Sequence, residues 1–307
     1  MEAGLIVSRF VHYFALSVLF GVALFPLYGL APSQTGQYQR LPWLRKLLLG
    51  AAVLTLASGI CWLGFTAAAI SGRLSNVTDT TALFTLIRDT PYGSVWLFRL
   101  FLAAGLVVLL FAGSRAWQLR SVLIGSLILL ASIALTGNAG SNSGSTAVQH
   151  RLADAVHLVA SGAWVGALVV FSGLAMIAVR YRRHEDLLTL HQVLARFAGV
   201  GSIVVASLTL SGMFNPGFFL ASLNTAYGQV LLAKLTIFGM MLMLAAANRF
   251  WLTPRLSGIL AGTRHTALEL KTAIWALQVS ILAETVLAAV VLATVAVLGA
   301  LPPPDFQ

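Results

Sequence analysis

Residues 272–300 read TAIWALQVSILAETVLAAVVLATVAVLGA, a run of 29 residues with a single ionisable side chain, Glu284. Crossing roughly 30 Å of hydrocarbon takes about 20 apolar residues in a helix. In lipid such a segment must be helical, because only a helix satisfies its backbone groups internally. The same reading repeats toward the N-terminus at about 228–251, 191–212, 152–179, 118–137, 93–113, 45–71 and 5–30. Breakers separate the runs: Ala31-Pro32-Ser33, Gly72-Arg73, Pro91-Tyr92-Gly93, the Gly/Ser/Asn stretch 137–146 and Asn215-Pro216-Gly217. The expectation is an all-α polytopic bundle of about eight transmembrane helices. It forms one transmembrane domain over 1–307, and its halves show no obvious repeat.

Composition agrees. Apolar residues make up 59% of the 307 and charged residues 9%, whereas a soluble domain carries about a quarter charged residues. The net charge of +10 does not indicate nucleic acid, since the cations cap apolar runs and form no basic stripe with interleaved aromatics. Twelve of the 19 Lys and Arg fall in one set of alternate loops and only Arg73, Arg88 and Arg151 in the other. The positive-inside rule then places both termini outside. The first run is too long for a signal peptide and lacks a basic segment before it. Cys61, the one cysteine, excludes a disulfide framework and reads as a packing residue.

Ionisable residues inside spans are costly and therefore candidates for function. Arg9 and His12 share a face of the first span, and Arg99 lies two turns into the third. His150, Asp154 and His157 form one stripe if the fifth helix begins early enough. Asn138 ends the fourth span, and Lys234 lies two turns into the seventh. All of these map to the outer leaflet, where they are expected to line a polar chamber; Glu284 sits near mid-depth. Neutral imidazole suits copper, zinc or haem iron, so His12, His157, His150 and Asp154 are the candidate metal residues, with Asp154 placed to orient His157. Arg9, Arg99, Asn138, Lys234 and Glu284 are candidate path residues. The alternative for the cations is snorkelling or helix-pairing. His184, His191 and His265 read as cytoplasmic helix-end or loop residues. Gly162 and Gly166 favour close helix packing, Met240, Met241 and Met243 read as packing rather than Cu(I) ligands, and Trp43, Trp96 and Trp251 suit an interfacial belt. Nothing pairs a nucleophile with a base, so an enzyme is not expected.

The segment Asp154-Ala155-Val156-His157-Leu158 through Ser161-Gly162-Ala163-Trp164-Val165-Gly166, Tyr227-Gly228 with Lys234, Asn248-Arg249-Phe250, Thr253-Pro254-Arg255, Glu284 and Leu301-Pro302-Pro303 resembles the CopD family of copper-resistance membrane proteins. Arg9/His12, Pro91-Tyr92-Gly93, Trp96 and Arg99 extend the likeness more loosely. Where similar proteins often carry Gly-His-Ala, this chain has Gly137-Asn138-Ala139. The resemblance implies a bacterial inner-membrane protein that receives copper from a periplasmic carrier of the CopC kind and passes it inward, using His12, His157, Asp154, Lys234 and Glu284. Two other readings stand beside it: a b-type haem protein with His12 and His157 as axial ligands, and a scaffold whose charges only pair helices. Oligomeric state is left open.

Overall fold

The computed structural model describes residues 1–29, 41–113, 115–136, 145–181, 183–214, 224–262 and 266–301, and among them every regular element is helical. The helices are α1 (Glu2–Gly29), α2 (Pro42–Ser71), α3 (Thr80–Asp89), α4 (Pro91–Ala112), α5 (Ala116–Ile133), α6 (Ser145–Tyr181), α7 (His184–Met213), α8 (Ala226–Ala247), α9 (Thr253–Ala261) and α10 (Ala267–Leu298). Among the described residues, eight stretches are long and apolar enough to cross a membrane, with α8 and α9 joined as one span. Pro254 explains the join: it has no N–H for the Phe250 carbonyl, and the chain widens into a π turn over Asn248–Leu252.

The short helix α3 is absent from the sequence reading because ten residues cannot span. Asp79 caps it, accepting from the amides of Thr81 (2.8 Å) and Ala82 (3.4 Å). It lies across the start of α4, where Gly93 packs against the backbone of Leu86 and Ile87 with no room for a Cβ. Its Leu86 joins Leu5, Trp62, Leu63, Ala67 and Trp96 in a small cluster separate from the main core.

The main core centres on α1 and α6. They cross where Gly21 meets Gly166 and Ser17 meets Gly162, and a Cβ on Gly21 or Gly166 would fall on the other's backbone. The close packing expected of the Gly162/Gly166 pair is therefore present. The contacts advance together along both helices, so α1 and α6 are parallel, and the offset of 145 residues brings His12 level with His157.

The expectation of no repeat is corrected by this register. Val11-His12 matches Val156-His157 on α1 and α6, Ser58-Gly59 matches Ser211-Gly212 on α2 and α7, and Thr90-x-Tyr92-Gly93 with Arg99 matches Thr225-x-Tyr227-Gly228 with Lys234 on α4 and α8. Thr90 and Thr225 even cap their helices alike, accepting from Gly93 (3.0 Å) and Gly228 (3.1 Å). The chain is two four-span units in tandem, inserted in the same direction.

Candidate functional site

Each unit holds its histidine by the same device. Ser58 donates its hydroxyl proton to the Leu54 carbonyl (2.6 Å), and the Thr55 carbonyl can only accept, so His12 Nδ1 carries the proton that reaches Thr55 (3.1 Å) and Ser58 (3.2 Å). Ser211 donates to the Ser207 carbonyl (2.5 Å) and so accepts from His157 Nδ1 (3.0 Å); the Leu208 carbonyl also bonds this ring. Both rings abut the glycine that follows the serine, with the Cβ position of Gly59 3.4 Å and that of Gly212 3.8 Å from the ring Cε1. In both the proton is fixed on Nδ1, which leaves the Nε2 lone pair available. The expectation that Asp154 orients His157 is corrected: Ser211 on α7 does so.

The two rings do not share a chamber. His12 precedes Ser17 by five positions, and His157 precedes Gly162 by five, which is about 140° around a helix. Each imidazole therefore turns away from the α1–α6 seam, His12 toward α2 and α4 and His157 toward α7. Among the described residues, no group of three or more His, Cys, Asp or Glu is arranged to hold a metal ion. The four candidate metal residues are thus split, with His12 in one unit and His150, Asp154 and His157 in the other.

In the second unit, α6 begins at Ser145, early enough to set His150, Asp154 and His157 on one stripe. Asp154 lies within electrostatic range of His150 and Lys234, and Lys234 also reaches His157. Tyr227 borders Asp154. Two turns deeper on α6, about 10 Å along the axis, Trp164 donates to Glu284 (2.8 Å), whose other oxygen accepts from Asn248 at the π turn (3.0 Å). Glu284 is buried and is held by two neutral donors. Trp164 and Asn248 enter the sequence reading only within the motifs that carry the family resemblance; their shared acceptor on α10 becomes visible once three helices are placed.

In the first unit His12 is walled by Trp62 and Trp96, with ring centroids at 5.5 and 5.8 Å. Trp96 is wholly buried, which corrects its reading as an interfacial belt residue. Arg9 lies 5.5 Å from the Trp62 centroid and Arg99 4.9 Å from that of Trp96. Arg99 bonds Ser132 through Nε to Oγ (2.9 Å) and through Nη2 to the carbonyl, and reaches Thr136 Oγ1 (2.9 Å). It does not snorkel: it is 2% exposed.

Elsewhere, Cys61 is exposed on α2 rather than packed inside. Met241 is buried while Met243 is 66% exposed, so the three methionines do not face one site. Asn138 and His265 lie outside the described residues. A cavity of 330 Å³ between α2, α6 and α10 is lined by Trp43, Leu47 and Val286 among others. Its Ser172 and Thr285 bond each other (2.9 Å), and nothing in it is suited to a metal.

The chain matches two family models, copper resistance protein D-like, N-terminal domain over residues 1–148 and copper resistance protein D over residues 191–298. It is similar to Copper resistance protein D of Pseudomonas syringae pv. tomato, 34% identical over 257 residues covering 81% of this chain and 82% of that protein. Inner membrane protein YebZ of Escherichia coli K12 is 32% identical over 263 residues, 82% and 85% of the two chains. Copper transport protein CutJ of Bacillus subtilis 168 is 26% identical over 261 residues, 81% of this chain and 46% of that one. No solved structure matches.

Proposed function

The chain belongs to the copper resistance protein D family, and from that premise we propose that it is a multi-pass inner-membrane protein that accepts copper ions from the periplasm and moves them into or across the membrane. The loop charges support an outside position for both termini, so His150, Asp154 and His157 open toward the periplasm. The observation that carries the reading is the His157 ring, with its proton held on Nδ1 by Ser211, its Nε2 lone pair left open, and Lys234 within electrostatic range of both it and Asp154, which lies one turn away on α6.

Lys234 acts as a tethered cation for Asp154 while the site is empty. An arriving copper ion takes the carboxylate and His157 Nε2, and the flexible ammonium withdraws. Glu284 is the next carboxylate inward, and it accepts the ion as Trp164 and Asn248 release it. A low number of ligands suits cargo that must leave again. A periplasmic carrier of the CopC kind is the proposed donor, and no catalytic step is proposed. The b-type haem reading requires both imidazoles on one flat pocket, and rings turned to opposite sides of the α1–α6 seam give it no support.

Copper uptake by cells producing the protein tests this. H157A and D154N are each expected to lower uptake by about tenfold or more, the effect of losing a ligand or its neighbour. Uptake equal to wild type in H157A, at equal membrane abundance, overturns the role given to the second unit.

A further inference from the structure

The copper reading leaves the first unit without a task, and its chemistry differs from that of the second. At the equivalent positions 9 and 154 the charge is reversed, Arg9 against Asp154. Two guanidinium groups flank the aromatic wall of His12, Arg9 against Trp62 with its Nη1 beside Gly299 at the end of α10, and Arg99 against Trp96, and among the described residues neither has an acidic partner. Among the described residues, seven of the eleven buried side-chain polar atoms left without a hydrogen bond lie here: Arg9 Nε and Nη1, His12 Nε2, Thr55 Oγ1, Trp62 Nε1, Trp96 Nε1 and Arg99 Nη1. All but Thr55 Oγ1 belong to residues joined by ring and cation–π contacts, since Trp62 and Trp96 stack edge-on at 4.9 Å and each carries one guanidinium, and Thr55 bonds the His12 ring through its carbonyl. Tyr13 lies within electrostatic range of both arginines.

Uncompensated charge in a span is expensive, and unmet buried donors each carry a desolvation cost. Five of the seven atoms are N–H donors on Arg or Trp, which can only donate. Of the other two, the Thr55 hydroxyl can donate or accept, and His12 Nε2 is the acceptor. Its proton resides on Nδ1, so it accepts. We propose that the first unit binds a protonated oxyanion, of the hydrogenphosphate type, whose oxygens take the arginine and tryptophan N–H groups and whose O–H donates to His12 Nε2. Leu86 of α3 packs in one buried cluster with Trp62 and Trp96, so the indoles sit behind apolar cover. The site is distinct from the copper path and does not depend on it.

The acceptor role of His12 separates candidate ligands. Sulfate has no O–H at neutral pH, chloride has none, and a lipid phosphodiester has none. The full chain, purified in detergent, is titrated with inorganic phosphate, sulfate and chloride at matched ionic strength, read by tryptophan fluorescence and thermal unfolding. A parallel series adds phosphatidylglycerol or phosphatidylcholine vesicles. The expected result is a saturable response to phosphate, with sulfate weaker by about tenfold or more. R9Q and W96F are expected to weaken phosphate by a similar factor, and R196Q, which removes a cation bonded to the Gly29 carbonyl, to leave it unchanged. Because Arg9 is half-buried, R9Q tests the site without removing the bonds that Arg99 makes to Ser132. Absence of a saturable phosphate response overturns the proposal, as does equal binding of sulfate or a response to phosphatidylglycerol alone.

Discussion

Ser58 and Ser211 hold the two intramembrane imidazoles by matching bonds, and their removal separates position from chemistry. S211A leaves the Leu208 carbonyl as sole partner of His157 Nδ1, so the ring keeps its tautomer but gains freedom. Copper uptake is expected to fall by about tenfold, within the range for lost orienting partners, and S58A to affect it less. At Glu284 the two donors, Trp164 and Asn248, match two carboxylate oxygens. Glutamine offers one oxygen, so E284Q leaves its own amide facing the Asn248 amide. Thermal unfolding in detergent is expected to show a loss of about 1–3 kcal/mol. Pairing E284Q with N248D restores a donor and an acceptor and is expected to recover that stability. The candidate residues His12, His157, Asp154, Lys234 and Glu284 were readable in the sequence, because each is an ionisable group in an apolar run. Their partners were not. Ser58 and Ser211 are ordinary small residues in spans, and only the crossing helix shows which lone pair they leave open.

At the scale of elements the α1–α6 seam sets the whole arrangement. Because backbone meets backbone at Gly21 and Gly166, no flexible side chain can yield to a methyl group. G166A is expected to cost about 1–3 kcal/mol as overpacking, measured by thermal unfolding, while G105A and G239A, where a Cβ meets nothing within 4 Å, are expected to be neutral or stabilising by up to about 1 kcal/mol. A comparable loss in all three would point to general intolerance of α4 and α8 and not to the seam. Hydrophobic length disclosed the eight spans but not the repeat. The two units share a few residues that make specific contacts, and the positions between them face lipid or packed neighbours, where one apolar side chain substitutes readily for another. What survives is a sparse pattern, His on the first span of each unit, Ser-Gly on the second and Thr-x-Tyr-Gly at the start of the third, that no short window contains.

For the whole molecule, orientation is the property on which the copper reading rests. Alkaline phosphatase fused after Gln307 is expected to be active and a fluorescent protein there to be dark, with the opposite result for fusions in the loop after α6. The reverse pattern would turn the Asp154–His157 stripe toward the cytoplasm and remove the periplasmic entry. Because the units are parallel, both histidines lie toward the same end of the bundle. On the proposed copper reading, the path of the ion runs along the second unit, toward Glu284 on α10.

The even number of spans in each unit has a consequence for how the chain could be divided. A polypeptide ending after α5 and another starting before α6 would each begin and finish at the end of the bundle used by the intact protein. Neither would need its partner to set its direction during insertion. The Gly21–Gly166 crossing would then act as the meeting surface of two separate gene products, and coexpressed halves are expected to copurify from membranes. Introducing leucine at Gly166 should abolish that association while each half still inserts. The covalent link between the units is, in this respect, a tether between two membrane proteins that already fit each other.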